Sequence, residues 1–161
     1  MSGLQKFMPI EKIQNANVVC IVNLKARNLA KVSSHGMVLC GEYADKSVIE
    51  LLEPPAGSKA GDVITFEGFE RQCPPQLKEA TLKDKDGKKF KQTAWDRTIG
   101  SLNVSADGVA RIGELEFTTP NGKVTVPTVR KGIIKLDCCK TITFSHTYVE
   151  IILLLGFWGF G

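Results

Sequence analysis

A chain of 161 residues is long enough for one ordinary domain with a real core, and 43% hydrophobic with 24% charged residues excludes wholesale disorder. The net charge of +4 leaves room for a polyanionic partner without requiring one, and excludes a histone-like polycation. Cys20, Cys40, Cys73, Cys138 and Cys139 are odd in number and irregular in spacing, which excludes a disulfide framework and fits a reducing, cytoplasmic setting.

The first seventeen residues read as a loop and a short helix, with Pro9 in its first turn and Ile10 and Ile13 on one side. The opening MSGLQKFMPIEKIQ has neither a secretory apolar core nor an arginine-rich transit pattern. Residues 18–24 (VVCIVNL), 37–43 (MVLCGEY) and 47–52 (SVIELL) are apolar and compact, the pattern of strands. Between the first two, residues 25–36 (KARNLAKVSSHG) read as a polar, basic and irregular loop. Pro54-Pro55 stops the third strand, and AGSKAGD turns the chain into a fourth, expected from Val63 in VITFEGF. Short strands with Gly/Pro turns between them point to a small β-barrel or sandwich.

From Glu70 the chain becomes polar and lysine-rich. Residues 78–97 hold seven Lys/Arg against four Asp/Glu, a net of +3 and most of the excess charge of the whole protein. Residues 108–135 return to strand patterning, with Asn121-Gly122 expected as the turn of a hairpin. Residues 136–161 are apolar and nearly uncharged, and their clean apolar run, 151–161, is shorter than the about 20 residues a membrane helix needs. No fixed period recurs, which excludes solenoids and propellers.

Catalytic signatures are missing from the sequence. His35 has no carboxylate or nucleophile at a motif spacing. Cys138, Cys139 and His146 lack the four paired ligands of a zinc site. There is no phosphate loop, dinucleotide fingerprint or metalloprotease motif. The expectation is a protein that is not an enzyme and takes no cofactor.

Two runs carry a family resemblance: NLKARNLAKVSSHGMVLCG from Asn23, and IELLEPPAGSKAGDVITFEGF from Ile49. They resemble the C-terminal tRNA-binding domain of endothelial-monocyte-activating polypeptide II. Relatives of that domain are appended to some tyrosyl- and methionyl-tRNA synthetases or act as a yeast synthetase cofactor, and one is a stand-alone bacterial tRNA-binding protein. Asn23, Leu24, Lys25, Ser34, Met37, Val38, Leu39, Glu53, Pro54, Pro55, Gly61, Asp62 and Phe66 match the family pattern in order, as do Ser2-Gly3-Leu4 and Pro9. The chain departs from it at Ala26, where the family has proline, and at Leu29-Ala30-Lys31, where it has Met-Arg-Gly. Gly36 stands where alanine is usual. The likeness loosens after Leu77 and ends at Lys135.

The resemblance implies a mainly β protein: an oligonucleotide-binding (OB) type barrel followed by a smaller β-rich C-terminal extension. Ser2-Gly3-Leu4 falls about halfway through the family barrel, so an incomplete barrel with open sheet edges is expected. The expected divisions are residues 1–70 for the second half of the barrel, 71–135 for the basic segment and extension, and 136–161 for an apolar tail outside the binding site. The implied partners are tRNA and an aminoacyl-tRNA synthetase of methionyl, glutamyl or tyrosyl type, with no membrane. Lys25, Arg27 and Lys31 can contact phosphates, Ser34 and His35 can donate hydrogen bonds, and Met37 can lie against a base. Lys88 and Lys89 are the candidates in the basic segment. The competing reading is a protein-interaction or dimerisation piece, which self-associates and has lost RNA binding.

Overall fold

The computed structural model describes residues 3–22, 27–29, 32–34, 36–69, 80–83, 89–92, 99–138 and 151–154. Fourteen short strands follow one another along these segments. β1 is Val18–Ile21, β2 Arg27–Leu29, β3 Val32–Ser34, β4 Met37–Glu42 and β5 Ile49–Leu51. β6 is Ala80–Lys83, β7 Lys89–Gln92, β8 Leu102–Val104, β9 Ala110–Ile112 and β10 Leu115–Glu116. β11 is Thr118–Thr119, β12 Gly122–Lys123, β13 Ile133–Cys138 and β14 Ile151–Leu154. The only helices among the described residues are single 3-10 turns, Gly3–Lys6, Ile10–Lys12 and Ile99–Ser101.

β4 is the hub of an eight-stranded sheet, seven strands ordered β10-β9-β8-β13-β4-β1-β14 and the eighth, β5, also beside β4, with every pairing antiparallel. One edge of β4 carries β13 along its whole length, from Ile133↔Glu42 to Cys138↔Met37. Its other edge is shared: Met37 and Val38 pair with β1, and Cys40 to Glu42 pair with β5. Two strands on one edge split the sheet and curl it. Among the described residues β10 and β14 do not pair with each other, so the protein is an incomplete OB-type barrel.

β1 and the first four residues of β4 read as unbroken apolar runs because both faces of the sheet are covered there. Val19, Ile21 and Leu39 face an interior built with Leu52, Ile64, Leu102, Val104, Ala110, Phe117, Val124, Val126, Val129 and Ile134. Val18, Cys20, Val38 and Cys40, one residue out of step, face a second cluster closed by Leu4 and Met8 from the N-terminal turns. The short helix expected at Pro9 is a single 3-10 turn, Ile10–Lys12, with another such turn, Gly3–Lys6, before it. Ile10 is exposed rather than core-facing, and Leu4 and Met8 take the inward places.

Segments on either side of the basic run share the first cluster. Glu53 and Thr125 exchange backbone hydrogen bonds of 2.8 and 2.9 Å, and Thr65 and Thr118 exchange bonds of 2.8 and 3.2 Å. The strand expected from Val63 is thus reduced to isolated bridges at Val63 and Thr65. Phe66 meets Phe117 edge-on, centroids 5.5 Å apart. The hairpin near position 121 forms one residue earlier than expected. Thr119 pairs with Gly122, so Pro120 and Asn121 make the turn. Proline presets the first turn position, and Gly122 adopts φ +135°, which a residue without Cβ tolerates.

Candidate nucleic-acid interface

Ile21 ends β1, Met37 begins β4, and the two are directly paired. The segment between them therefore leaves and re-enters the sheet at one point. It was expected to be irregular, but it carries a β-hairpin of its own: Arg27 pairs with Ser34, Asn28 with Ser33 and Leu29 with Val32. The correction has a physical source. Closing a loop at the Ile21–Met37 pair brings its two arms side by side, so three-residue strands form without the apolar alternation that marks a strand in sequence. By register Arg27 and Ser34 share a face of this hairpin, and Asn28 and Ser33 share the other.

The root of the hairpin is firmly built. Gly36 is buried, Met37 is half-buried, and Val22 packs against the second core cluster. Met37 has a neighbour on either side in the sheet, Ile21 and Cys138. Its backbone is thus fixed in the sheet while its side chain keeps some surface.

The lysine-rich segment holds a second hairpin that the sequence reading did not assign. β6 pairs with β7 through Ala80↔Gln92, Thr81↔Lys91, Leu82↔Phe90 and Lys83↔Lys89. Pairing of this kind sorts the residues by twos. Thr81, Lys83, Lys89 and Lys91 share one face by register, and Ala80, Leu82, Phe90 and Gln92 share the other. The signal was present as the alternation in ATLK and KFKQ around Asp86-Gly87. Lys83 and Lys89 stand directly opposite each other, an arrangement that costs stability unless an anion relieves it.

Of the candidate residues, the structure thus sets Arg27 and Ser34 opposite each other on the β2–β3 hairpin, Met37 at its root and Lys89 in β7. Lys25, Lys31, His35 and Lys88 lie outside the described residues.

Comparison with known proteins places this geometry. Residues 1–63 match the model of a family described as a putative tRNA binding domain. The cytoplasmic methionine–tRNA ligase of Arabidopsis thaliana is 32% identical over 135 residues, which cover 84% of this chain and 16% of that protein. The tRNA-aminoacylation cofactor arc1 of Schizosaccharomyces pombe is 44% identical over 73 residues, covering 45% of this chain and 16% of that protein. The chain thus spans only a small part of the length of these curated relatives. The crystal structure of the C-terminal domain of Plasmodium vivax p43 superposes with a TM-score of 0.67 at 29% identity, covering 83% of this chain and 74% of that one. A matched N-terminal segment, a relative that aligns over most of the chain and a shared fold agree: residues 1–63 belong to the tRNA-binding domain family.

Proposed function

We propose that the chain is a non-catalytic tRNA-binding module that serves aminoacyl-tRNA synthetases as a cofactor or appended domain in the cytoplasm. The observation that carries this reading is the β2–β3 hairpin: it lies inside the family-matched segment, it bears Arg27 opposite Ser34, and it springs from a fixed pair in the sheet. Lys25, Arg27 and Lys31 are assigned to phosphates, Ser34 and His35 to phosphate or 2′-hydroxyl groups, and Met37 to the face of an exposed base at the root. Lys89 on the second hairpin extends the phosphate track, and Lys88, next to it in sequence, is assigned to phosphate as well. Residues 1–70 form the binding half, 71–135 the basic segment and β-rich extension, and 136–161 the tail. Recognition of shape and backbone suits this set, because no Phe, Tyr or Trp stands in residues 25–36 to stack on a base. A tethered module of this kind raises the local concentration of tRNA at the synthetase, and needs no chemistry of its own.

The test is binding to total tRNA across a salt series. Affinity is expected to fall steeply with salt, because released counterions drive the association. Lys25→Ala with Arg27→Ala is expected to weaken binding and to shallow the log–log slope by roughly one unit per lost phosphate contact. Salt-independent or undetectable binding would instead leave a protein-interaction module.

A further inference from the structure

The apolar tail was expected to take no part in binding, and the incomplete barrel was expected to leave open edges that the tail or a second copy of the chain could cover. The structure joins the tail to one such edge. β14 lies antiparallel along the outer edge of β1, with Val18↔Leu154, Val19↔Leu153, Cys20↔Ile152 and Ile21↔Ile151 in register. We infer that Ile151–Leu154 is an integral barrel strand, which holds β1 from its second side and so fixes the root of the β2–β3 hairpin.

Three observations carry this. First, composition fits position. By register, positions 151 and 153 share the face of Val19 and Ile21, whose side chains lie in the first core cluster. Positions 152 and 154 share the face of Val18 and Cys20, which lie in the second. A strand beside β1 therefore meets apolar surroundings on both faces, and IILL is apolar at every position. Second, the connection is short enough. Cys138, Met37, Ile21 and Ile151 form one row across four adjacent strands. Three strand spacings of about 4.8 Å separate the ends of the row, so about 14 Å must be bridged, and residues 139–150 reach roughly 40 Å when extended. The chain can place its own tail here without exchanging it with a second copy. Third, the row ends where the hairpin begins. Ile21, the last residue of β1 before the hairpin, has Met37 on one side and Ile151 on the other. With one neighbour only, β1 would be an edge strand, free to fray at its last residue.

The role in binding rests on the tRNA reading above, whereas the pairing itself does not, so the two are tested separately. For the pairing, Ile152→Cys in the full chain puts a thiol directly opposite Cys20, within the Cα separation that a disulfide accepts. Mild oxidation is expected to link position 152 to Cys20, read by peptide mass after digestion. Leu153→Cys, one residue out of register, is expected to form no link to Cys20. No link in the first variant, or equal links in both, overturns the strand.

For the positioning role, Ile152→Pro and Leu153→Pro are compared with the unaltered chain by hydrogen exchange and tRNA binding. Alternate amides of β1 are expected to exchange faster. The Ala110, Phe117 and Val124 amides, which bond one another's carbonyls at 2.8–3.0 Å, report whether the core is intact. With that core intact, tRNA affinity is expected to fall about 3- to 10-fold with an unchanged salt slope, since no phosphate contact is removed. Unchanged affinity despite faster β1 exchange, or a shallower slope, overturns the positioning role. If both proline variants lose the core amides as well, Ile152→Thr and Leu153→Thr give the same readout in a folded chain. An unaltered chain that shows no salt-dependent tRNA binding defeats the function proposed above and leaves the crosslink result standing.

Discussion

Glu42 shows what a single buried charge demands of this fold. It is 1% exposed at the end of β4, on the Cys40 face of the strand, and its Oε1 accepts a 3.0 Å bond from the half-exposed Lys135 Nζ on β13. No described group bonds Oε2. Removing the ammonium leaves a carboxylate in the core with no counter-charge, so Lys135→Met is expected to cost about 1.5–3 kcal/mol. The double variant Glu42→Gln with Lys135→Met is expected to recover much of it; urea midpoints at neutral pH decide. Gly41, the neighbour of Glu42, faces the opposite cluster. A Cβ there would stand 2.8 Å from Val126 Cγ1 and 3.5 Å from Val104 Cγ2. Gly41→Ala is therefore expected to destabilise by roughly 1–3 kcal/mol through overpacking. Trimming the obstacle with Val126→Ala is expected to make the same substitution much less costly. Equal costs in both backgrounds would remove the steric account.

At the level of elements, small local devices hold the extension together, and several of them are electrostatic. The ammonium of Lys123, on β12, lies 2.6 Å from Glu116 Oε2 at the end of β10, and Arg111 reaches Oε1 at 3.1 Å. The hydrogen bond from Lys123 first, and that from Arg111 after it, hold the Glu116 carboxyl below its ordinary value of 4.5 against the opposing effect of burial. A folded-state value below the unfolded one adds stability above the unfolded value, and this is lost as pH falls through the folded value. Lys123→Met is thus expected to lower stability at neutral pH by under about 1 kcal/mol, as is typical of solvent-screened pairs, seen as a small drop in melting temperature. The difference is expected to vanish in acid well below pH 4.5. A gap that persists in acid would make packing, not charge, its cause. β1, β4 and β5 were legible in the sequence because runs such as VVCI carry their signal locally, although each strand stops short of its expected end. β2, β3 and β14 were not, since their partners are chosen by loop closure or by a strand more than a hundred residues away. The cations of the candidate site were legible through the family resemblance, but the basic face shared by Lys83, Lys89 and Lys91 needed the register of β6 and β7.

For the molecule as a whole, the boundary expected near residue 70 does not divide the core. Val19, Ile21, Leu39, Leu52 and Ile64 pack in one cluster with Leu102, Val104, Phe117, Val124 and Ile134, and the bridges at Glu53–Thr125 and Thr65–Thr118 zip the same two segments. Glu50 adds a third tie, accepting bonds from the Thr128 and Val129 amides at 2.8 and 3.2 Å and from Thr128 Oγ1 at 2.8 Å. The binding half cannot bury its strands without the extension, because five of the thirteen buried residues of the cluster come from the first segment and eight from the second. Two halves that share a core unfold together. Urea denaturation followed by two probes, one in each segment, is therefore expected to give a single coincident transition. Phe117 is the sensitive point, fully buried and edge-on to Phe66 of the other segment. Phe117→Ala is expected to lower stability by about 3–5 kcal/mol. That is a large part of the roughly 5–15 kcal/mol that hold a domain together. Because the lost contacts join the segments, the loss is expected to be felt equally on both sides: amides of β1 and of the Phe117–Val124 region should show the same rise in exchange by global opening. Hydrogen exchange in mild denaturant reads both at once. Two separate transitions, or a loss confined to residues 99–138 with β1 still protected, would show that the two segments fold as separate units and that the shared cluster is only a contact between them.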